Sequence, residues 1–213
     1  MRWLSENFPY VRGLLWQHAW LSIVPVVVGL VVAVPVGWWA SRHRRWRGFI
    51  LGMGGIVYTL PSLPLLIVLP GLLGTSFLDP TNLVVVLSAY AAALLVRTAT
   101  DAFSSVPAIV VESAQAAGYS RVQQVLGVEL PLAGPVLLAG LRVASVSTVS
   151  LVTVGALIGV SNLGALFTDG FQRGFNTEIY IGVVGVVGLA LVLDLVWLLL
   201  ARLAMPWRVR GAA

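Results

Sequence analysis

SSVPAIVVESAQAAGYSRVQQVLGVELPLAGP, residues 104–135, separates two long apolar runs, and its regularity decides how the rest of the chain is read. Ser104 or Ser105 is placed to cap a first short helix, Pro107 suits its first turn, and Gly118 is suited to end it in the left-handed conformation. Ser120 and Gln123 have the three-residue spacing of a capping box, and Val122, Val125 and Leu126 then fall on one helical face. Leu130 and Pro131 are read as turning the chain into the next apolar run. The spacing predicts a helix, a sharp glycine corner and a second helix, which is a rigid projection rather than a flexible link.

Working outward, hydrophobic residues make up 59% of the chain and charged ones 10%. The mean hydropathy of +0.96 lies far from that of a soluble domain. Five apolar segments, at about 18–41, 48–73, 81–100, 135–160 and 179–203, are each long enough for a helical span of about 20 residues and too long for barrel strands. The expected fold is therefore all-α: a polytopic membrane protein of about five transmembrane helices, with residues 1–213 forming one transmembrane domain and a cytoplasmic loop at about 104–131. The 13 basic residues are all arginine, and with eight carboxylates they give a net charge of +5. RHRRWR at 42–47 marks an inside loop, and WRVR at 207–210 places the C-terminus on the same side. The N-terminus is then outside, with Arg2, Arg12 and Arg173. No basic stripe interleaves with exposed aromatics, so nucleic acid is not an expected partner. MRWLSENFPYVRG lacks the pattern of a removable signal peptide.

Tryptophans 16 and 20 fall at one membrane interface and tryptophans 38, 39, 46 and 207 at the other, as an aromatic belt. Ser145, Thr148, Gly155 and Gly159, with Gly182, Gly185 and Gly188, are small residues suited to close helix contacts. There is no cysteine, His18 and His43 stand at opposite ends of the first span, and the carboxylates are scattered. No catalytic group or metal site is expected.

Within the projection, Glu112-Ser113-Ala114, three residues, Gly118, nine residues and Val128-Glu129-Leu130-Pro131 match the pattern EAA, three residues, Gly, nine residues, Ile-x-Leu-Pro. In this the chain resembles the permease subunits of binding-protein-dependent ABC importers, with Ser113 for an alanine and Val128 for isoleucine. The resemblance implies a MetI-like fold, with a coupling helix docking on a separate ATPase through Glu112, Ser113, Ala114, Ala117, Gly118, Leu130 and Pro131. It also implies an extracytoplasmic substrate-binding protein, a second permease copy or similar permease, and a bacterial inner membrane. No GxxxxGK[ST] loop occurs and there is no lysine to serve one, so the chain is not expected to hydrolyse ATP. It is expected to bind no cofactor, with ATP and Mg held by the partner.

YTLPSLPLLIVLP, residues 58–70, puts three prolines into an otherwise apolar run. Pro61 disturbs the carbonyl of Val57 and Pro64 that of Leu60, and such groups are tolerated at membrane depth where protein covers them or where they line a wet cavity. Thr59, Pro61, Ser62 and Pro64 are thus expected to line a translocation path. YTLPSLPLL and TVGALIGVSNLGALFTDGFQRG resemble segments of the osmoprotectant importers of glycine betaine, choline and carnitine, Ser161 and Asn162 standing at two small, glycine-type positions. The quaternary ammonium that this resemblance implies is held best by aromatic faces, which adds Tyr58 and Tyr90 to the expected path. Arg97 and Asp101, one turn apart, are read as a pair, leaving Arg142 and Asp194 without sequence-local mates. The alternatives are an importer permease for another small solute such as an amino acid, and an ion-coupled secondary transporter.

Overall fold

The computed structural model describes residues 2–207. Arg208 and Arg210 of the terminal WRVR lie outside the described residues. The helices are α1 (Arg2–Glu6), α2 (Phe8–Arg42), α3 (Arg44–Thr59), α4 (Ser62–Leu73), α5 (Pro80–Ser104), α6 (Ala108–Ala116), α7 (Arg121–Gln124), α8 (Leu130–Val152), α9 (Ala165–Gln172) and α10 (Asn176–Ala204). Among the described residues there is no strand. Phe8–Arg42, Pro80–Ser104, Arg121–Ile158 and Asn176–Ala204 are each long and apolar enough to cross a membrane, and α3 with α4 is a fifth crossing if that pair, bent by 98°, counts as one. The five segments read from hydropathy all appear, with the first beginning ten residues earlier, at Phe8.

The fourth differs in a way the prolines explain. The chain does not turn at Leu130 and Pro131; α7 runs through a π-helical turn, Val125–Glu129, directly into α8. Pro131 has no N–H for the carbonyl of Gly127 and its ring would crowd that oxygen. The wider turn, in which the Leu130 amide reaches back to Val125 O, carries the proline without breaking the helix. At the other end of the projection Ser104 and Ser105 do not cap α6. α5 continues to Ser104, their hydroxyls bond back to Thr100 O and Ala102 O, and Pro107 itself occupies the N-cap position.

α5 is the central helix, flanked by α2, α3 and α8. It starts at Asp79, whose carboxylate caps the Thr81 amide at 2.8 Å and is held below the ordinary carboxylate range by hydrogen bonds from Thr81. Lipid tails are as apolar as leucine, so span association depends on close backbone approach rather than on expulsion of water. The α2–α5 seam supplies it. Gly29, Ala33, Gly37 and Ala40 form a buried stripe along α2, and a Cβ on Gly29 would come within 2.7 Å of that of Ala91. Gly37 lies equally hard against Ala99. Of the glycines expected at helix contacts, Gly182 packs on Leu166 and Phe167, whereas nothing lies within 4 Å of a Cβ on Gly188. Gly159 is a turn residue, with φ of +87°.

Long-range polar contacts hold the bundle at both ends. His18, fully buried, has Nε2 3.0 Å from Val149 O and Nδ1 3.3 Å from the Leu163 amide. Nδ1 therefore accepts and Nε2 donates, joining α2, α8 and the loop after α8. In that loop Asn162 folds onto its own backbone, accepting from Gly164 N at 2.7 Å and donating to Val160 O at 2.9 Å. Ser161 and Asn162 both avoid positive φ, so neither strains a position that needs glycine.

Candidate docking face and broken-helix site

The short helix α6 is seated by a single buried residue, Val111, and projects beyond the arginine-rich end of the bundle. Glu112 and Ser113 are exposed, Ala114 is half-buried, and Ala117 and Gly118 are exposed at the corner. Gly118 has φ of +84°, the left-handed conformation anticipated for it. The capping box at Ser120 is formed: the Ser120 amide donates to Gln123 Oε1 at 2.8 Å and the Gln123 amide to Ser120 Oγ at 3.5 Å. Glu112 has no ion-pair partner among the described residues; Arg121 turns instead to Gln124 Oε1, at 3.5 Å. Ile109, Tyr119, Val122 and Leu126 expose apolar surface along the projection, and a depression of about 680 Å³ opens between Ala117, Tyr119, Val122 and Leu126. An uncompensated charge among exposed apolar side chains on a stiff corner is the composition of a partner-binding face. Leu130 and Pro131 are set apart from this tip, half-buried at the start of α8.

The second group surrounds the break between α3 and α4. Leu60 and Pro61 are extended, with ψ of 133° and 128°. Both carbonyls that the prolines disturb have partners: Val57 O accepts from the Leu60 amide at 3.4 Å, and Leu60 O accepts from the Tyr90 hydroxyl at 2.5 Å. Tyr90 is buried, with its ring centroid 5.9 Å from that of Tyr58, which is half exposed. Thr59 and Pro61 are exposed, Ser62 half-buried and Pro64 exposed. The Thr59 hydroxyl donates to Ile56 O at 2.8 Å, back into its own helix. The break thus gathers all six sequence-named residues, and Tyr90 serves it through a hydroxyl as well as a ring.

One expected ion pair changes partner, and two charges without a local mate find each other across the bundle. Asp101 pairs with Arg47 of α3 at 3.0 Å rather than with Arg97, because α3 lies alongside α5 and brings a guanidinium closer than the residue one turn back. Arg142 and Asp194 pair with each other through two hydrogen bonds, of 2.6 and 2.8 Å, between α8 and α10. Trp38, expected in the aromatic belt, turns its indole N–H to Glu129 Oε2, at 2.9 Å. Sequence reading gave Glu129 no role beyond its place in the motif at 128–131. A carboxylate between apolar neighbours at the start of a span was the available signal. Among the described residues no group of three or more His, Cys, Asp or Glu is placed to hold a metal.

Residues 15–209 match the model of the family described as binding-protein-dependent transport system inner membrane component. The chain is similar to the choline transport system permease protein OpuBB of Bacillus subtilis (strain 168), at 32% identity over 206 residues, covering 97% of this chain and 94% of that protein. It is similar also to the glycine betaine/carnitine/choline transport system permease protein OpuCD of the same organism, at 29% over 203 residues, covering 95% and 87%. With the osmoprotectant import permease protein OsmW of Salmonella typhimurium the identity is 29% over 202 residues, covering 93% of each. Among solved structures, an inward-facing MetNI methionine ABC transporter superposes with a TM-score of 0.78 at 22% identity, covering 90% of this chain and 94% of that one. At that identity the likeness is one of fold.

Proposed function

This chain belongs to the family of binding-protein-dependent transport system inner membrane components, and from that premise we propose that it is the permease subunit of an ATP-driven importer of quaternary-amine osmoprotectants such as glycine betaine, choline or carnitine. The observation that carries the reading is the exposed corner of α6, Gly118 and α7, which presents Glu112, Ser113, Ala114 and Ala117 in the spacing expected of an ATPase-docking helix. In this reading α6 and the arginine-rich end face the cytoplasm, the N-terminus lies outside, and residues 1–213 form one unit of a bacterial inner membrane. Hydrolysis belongs to ATPase subunits that hold ATP and Mg. An extracytoplasmic binding protein delivers the solute, and a second permease completes the pathway.

In this mechanism the ATPase pair closes on nucleotide and displaces α6, and the spans exchange inward-open and outward-open arrangements because each ligand binds one arrangement better than the other. Tyr58, Thr59, Pro61, Ser62, Pro64 and Tyr90 line the path at the broken helix. The names of the relatives support the amine assignment, and the Tyr58–Tyr90 pair suits a cation that offers no hydrogen-bond donors.

The test is uptake of labelled glycine betaine into proteoliposomes that contain this chain, its ATPase and its binding protein, with ATP supplied on the ATPase side. Uptake is expected to require ATP and to be abolished by Glu112→Arg, which reverses the charge at the docking face. ATP-driven uptake of a different solute would keep the importer and discard the substrate class. Uptake driven by an ion gradient without ATP would sink both.

A further inference from the structure

The projection carries force only if it is firmly joined to the spans, and α6 is attached by little beyond Val111. The stronger attachment begins at the corner that follows it. Tyr119 O accepts from Gln124 Nε2 at 3.0 Å, and Gln124, itself buried, accepts from Arg121 at 3.5 Å. The Arg121 guanidinium lies 5.9 Å from the centroid of the Trp38 ring. Trp38 donates to Glu129 Oε2 at 2.9 Å, and Arg42 Nη2 is 2.6 Å from Glu129 Oε1. Trp38 and Arg42 are one turn apart on α2, so one face of its end holds both oxygens of a single carboxylate, Oε2 by a hydrogen bond and Oε1 by charge alone. Glu129 has no solvent exposure and is the last residue of the π-helical turn that precedes α8. A continuous polar chain therefore runs from the docking corner to the end of the first span, and Glu129 is the junction where α2, the projection and α8 meet.

A buried ion pair adds little to stability when compared with a well-packed apolar replacement, and its better-attested use is to fix one arrangement among alternatives. We propose that Glu129 is a positioning residue that makes the docking projection, the start of α8 and the end of α2 move as one lever, so that displacement of α6 is delivered to the spans. This rests on the ATPase-docking reading of the projection. Without Glu129 the corner still docks and the ATPase still turns over, but the push is lost in the π-helical turn.

The chain has no cysteine, so spin labels can be placed on Gln115→Cys in α6 and Val31→Cys in α2, both exposed, in the full chain in lipid nanodiscs with and without its ATPase. With Glu129 present, the distance distribution between the labels is expected to be narrow and to stay so when ATP is added. Glu129→Gln, which keeps the shape and loses the charge, is expected to broaden it. In proteoliposomes the same substitution should lower glycine betaine uptake per ATP hydrolysed on the order of tenfold while hydrolysis continues. Trp38→Phe, which keeps a ring under Arg121 and removes the indole N–H, is expected to act in the same direction, and it decides the matter if Glu129→Gln does not fold. A distribution that remains narrow in the variants, or uptake and hydrolysis that fall in equal proportion, would overturn the lever. Failure of the unsubstituted chain to show ATP-driven uptake would count against the importer reading instead, and the distance measurement would still decide whether Glu129 joins the two helices.

Discussion

Tyr90 shows how a single hydroxyl permits a broken helix in an apolar surrounding. Pro64 cannot donate to Leu60 O, and in the absence of water that carbonyl would stand alone; the Tyr90 hydroxyl supplies the donor from a helix thirty positions away in sequence. Tyr90→Phe keeps the aromatic face and removes that donor, so it is expected to destabilise the folded protein by about 0.5–1.5 kcal/mol, the net contribution of one intramolecular hydrogen bond. Thermal unfolding in detergent checks this, with Tyr58→Phe as a comparison, since among the described residues the Tyr58 hydroxyl makes no hydrogen bond at the break. If Tyr90→Phe unfolds with an unchanged midpoint, water reaches Leu60 O and the break is open to a wet cavity.

At the scale of the elements, the α2–α5 seam and the π-helical turn answer the same demand in different ways. Small residues let α2 and α5 approach until a methyl group at Gly29 or Gly37 has no room. Gly37→Val is expected to force the pair apart at a cost of about 1–3 kcal/mol and to lower the yield of monodisperse protein after extraction. Gly52→Ala on α3, where nothing lies within 4 Å, should leave that yield unchanged. Equal behaviour of the two variants would refute the claim that this seam holds the first and third spans together. The π-helical turn makes room for a proline rather than for a neighbour, and it lets a docking segment and a membrane span share one continuous helix.

For the whole molecule, the least buried of the four unbroken spans is α10, and it is tied to α8 by the two bonds between Arg142 and Asp194 and by the Trp197 indole donating to Ser145 at 3.0 Å. Asp194→Asn leaves an arginine without its anion in a span, which is unfavourable in lipid. The variant is expected to unfold at a lower temperature, and the exchanged pair Arg142→Asp with Asp194→Arg is expected to recover part of the loss. No recovery in the exchanged pair, with each single variant as stable as the parent, would show that α10 is held by packing alone.

The all-helical membrane fold, the glycine corner and the capping box were legible in the chain itself. Their causes are local: apolar runs of spanning length, a left-handed glycine, and a serine three residues before a glutamine. The break at Pro61 was legible for the same reason, since a proline acts on the carbonyl four residues before it. Partnerships across the bundle were not. Arg47 with Asp101, Arg142 with Asp194, Trp38 and Arg42 with Glu129, and Tyr90 with Leu60 O join positions from 30 to 91 residues apart. Those pairings depend on which helices lie side by side and in what register, which the tight α2–α5 seam and the packing around α5 decide and no local rule encodes.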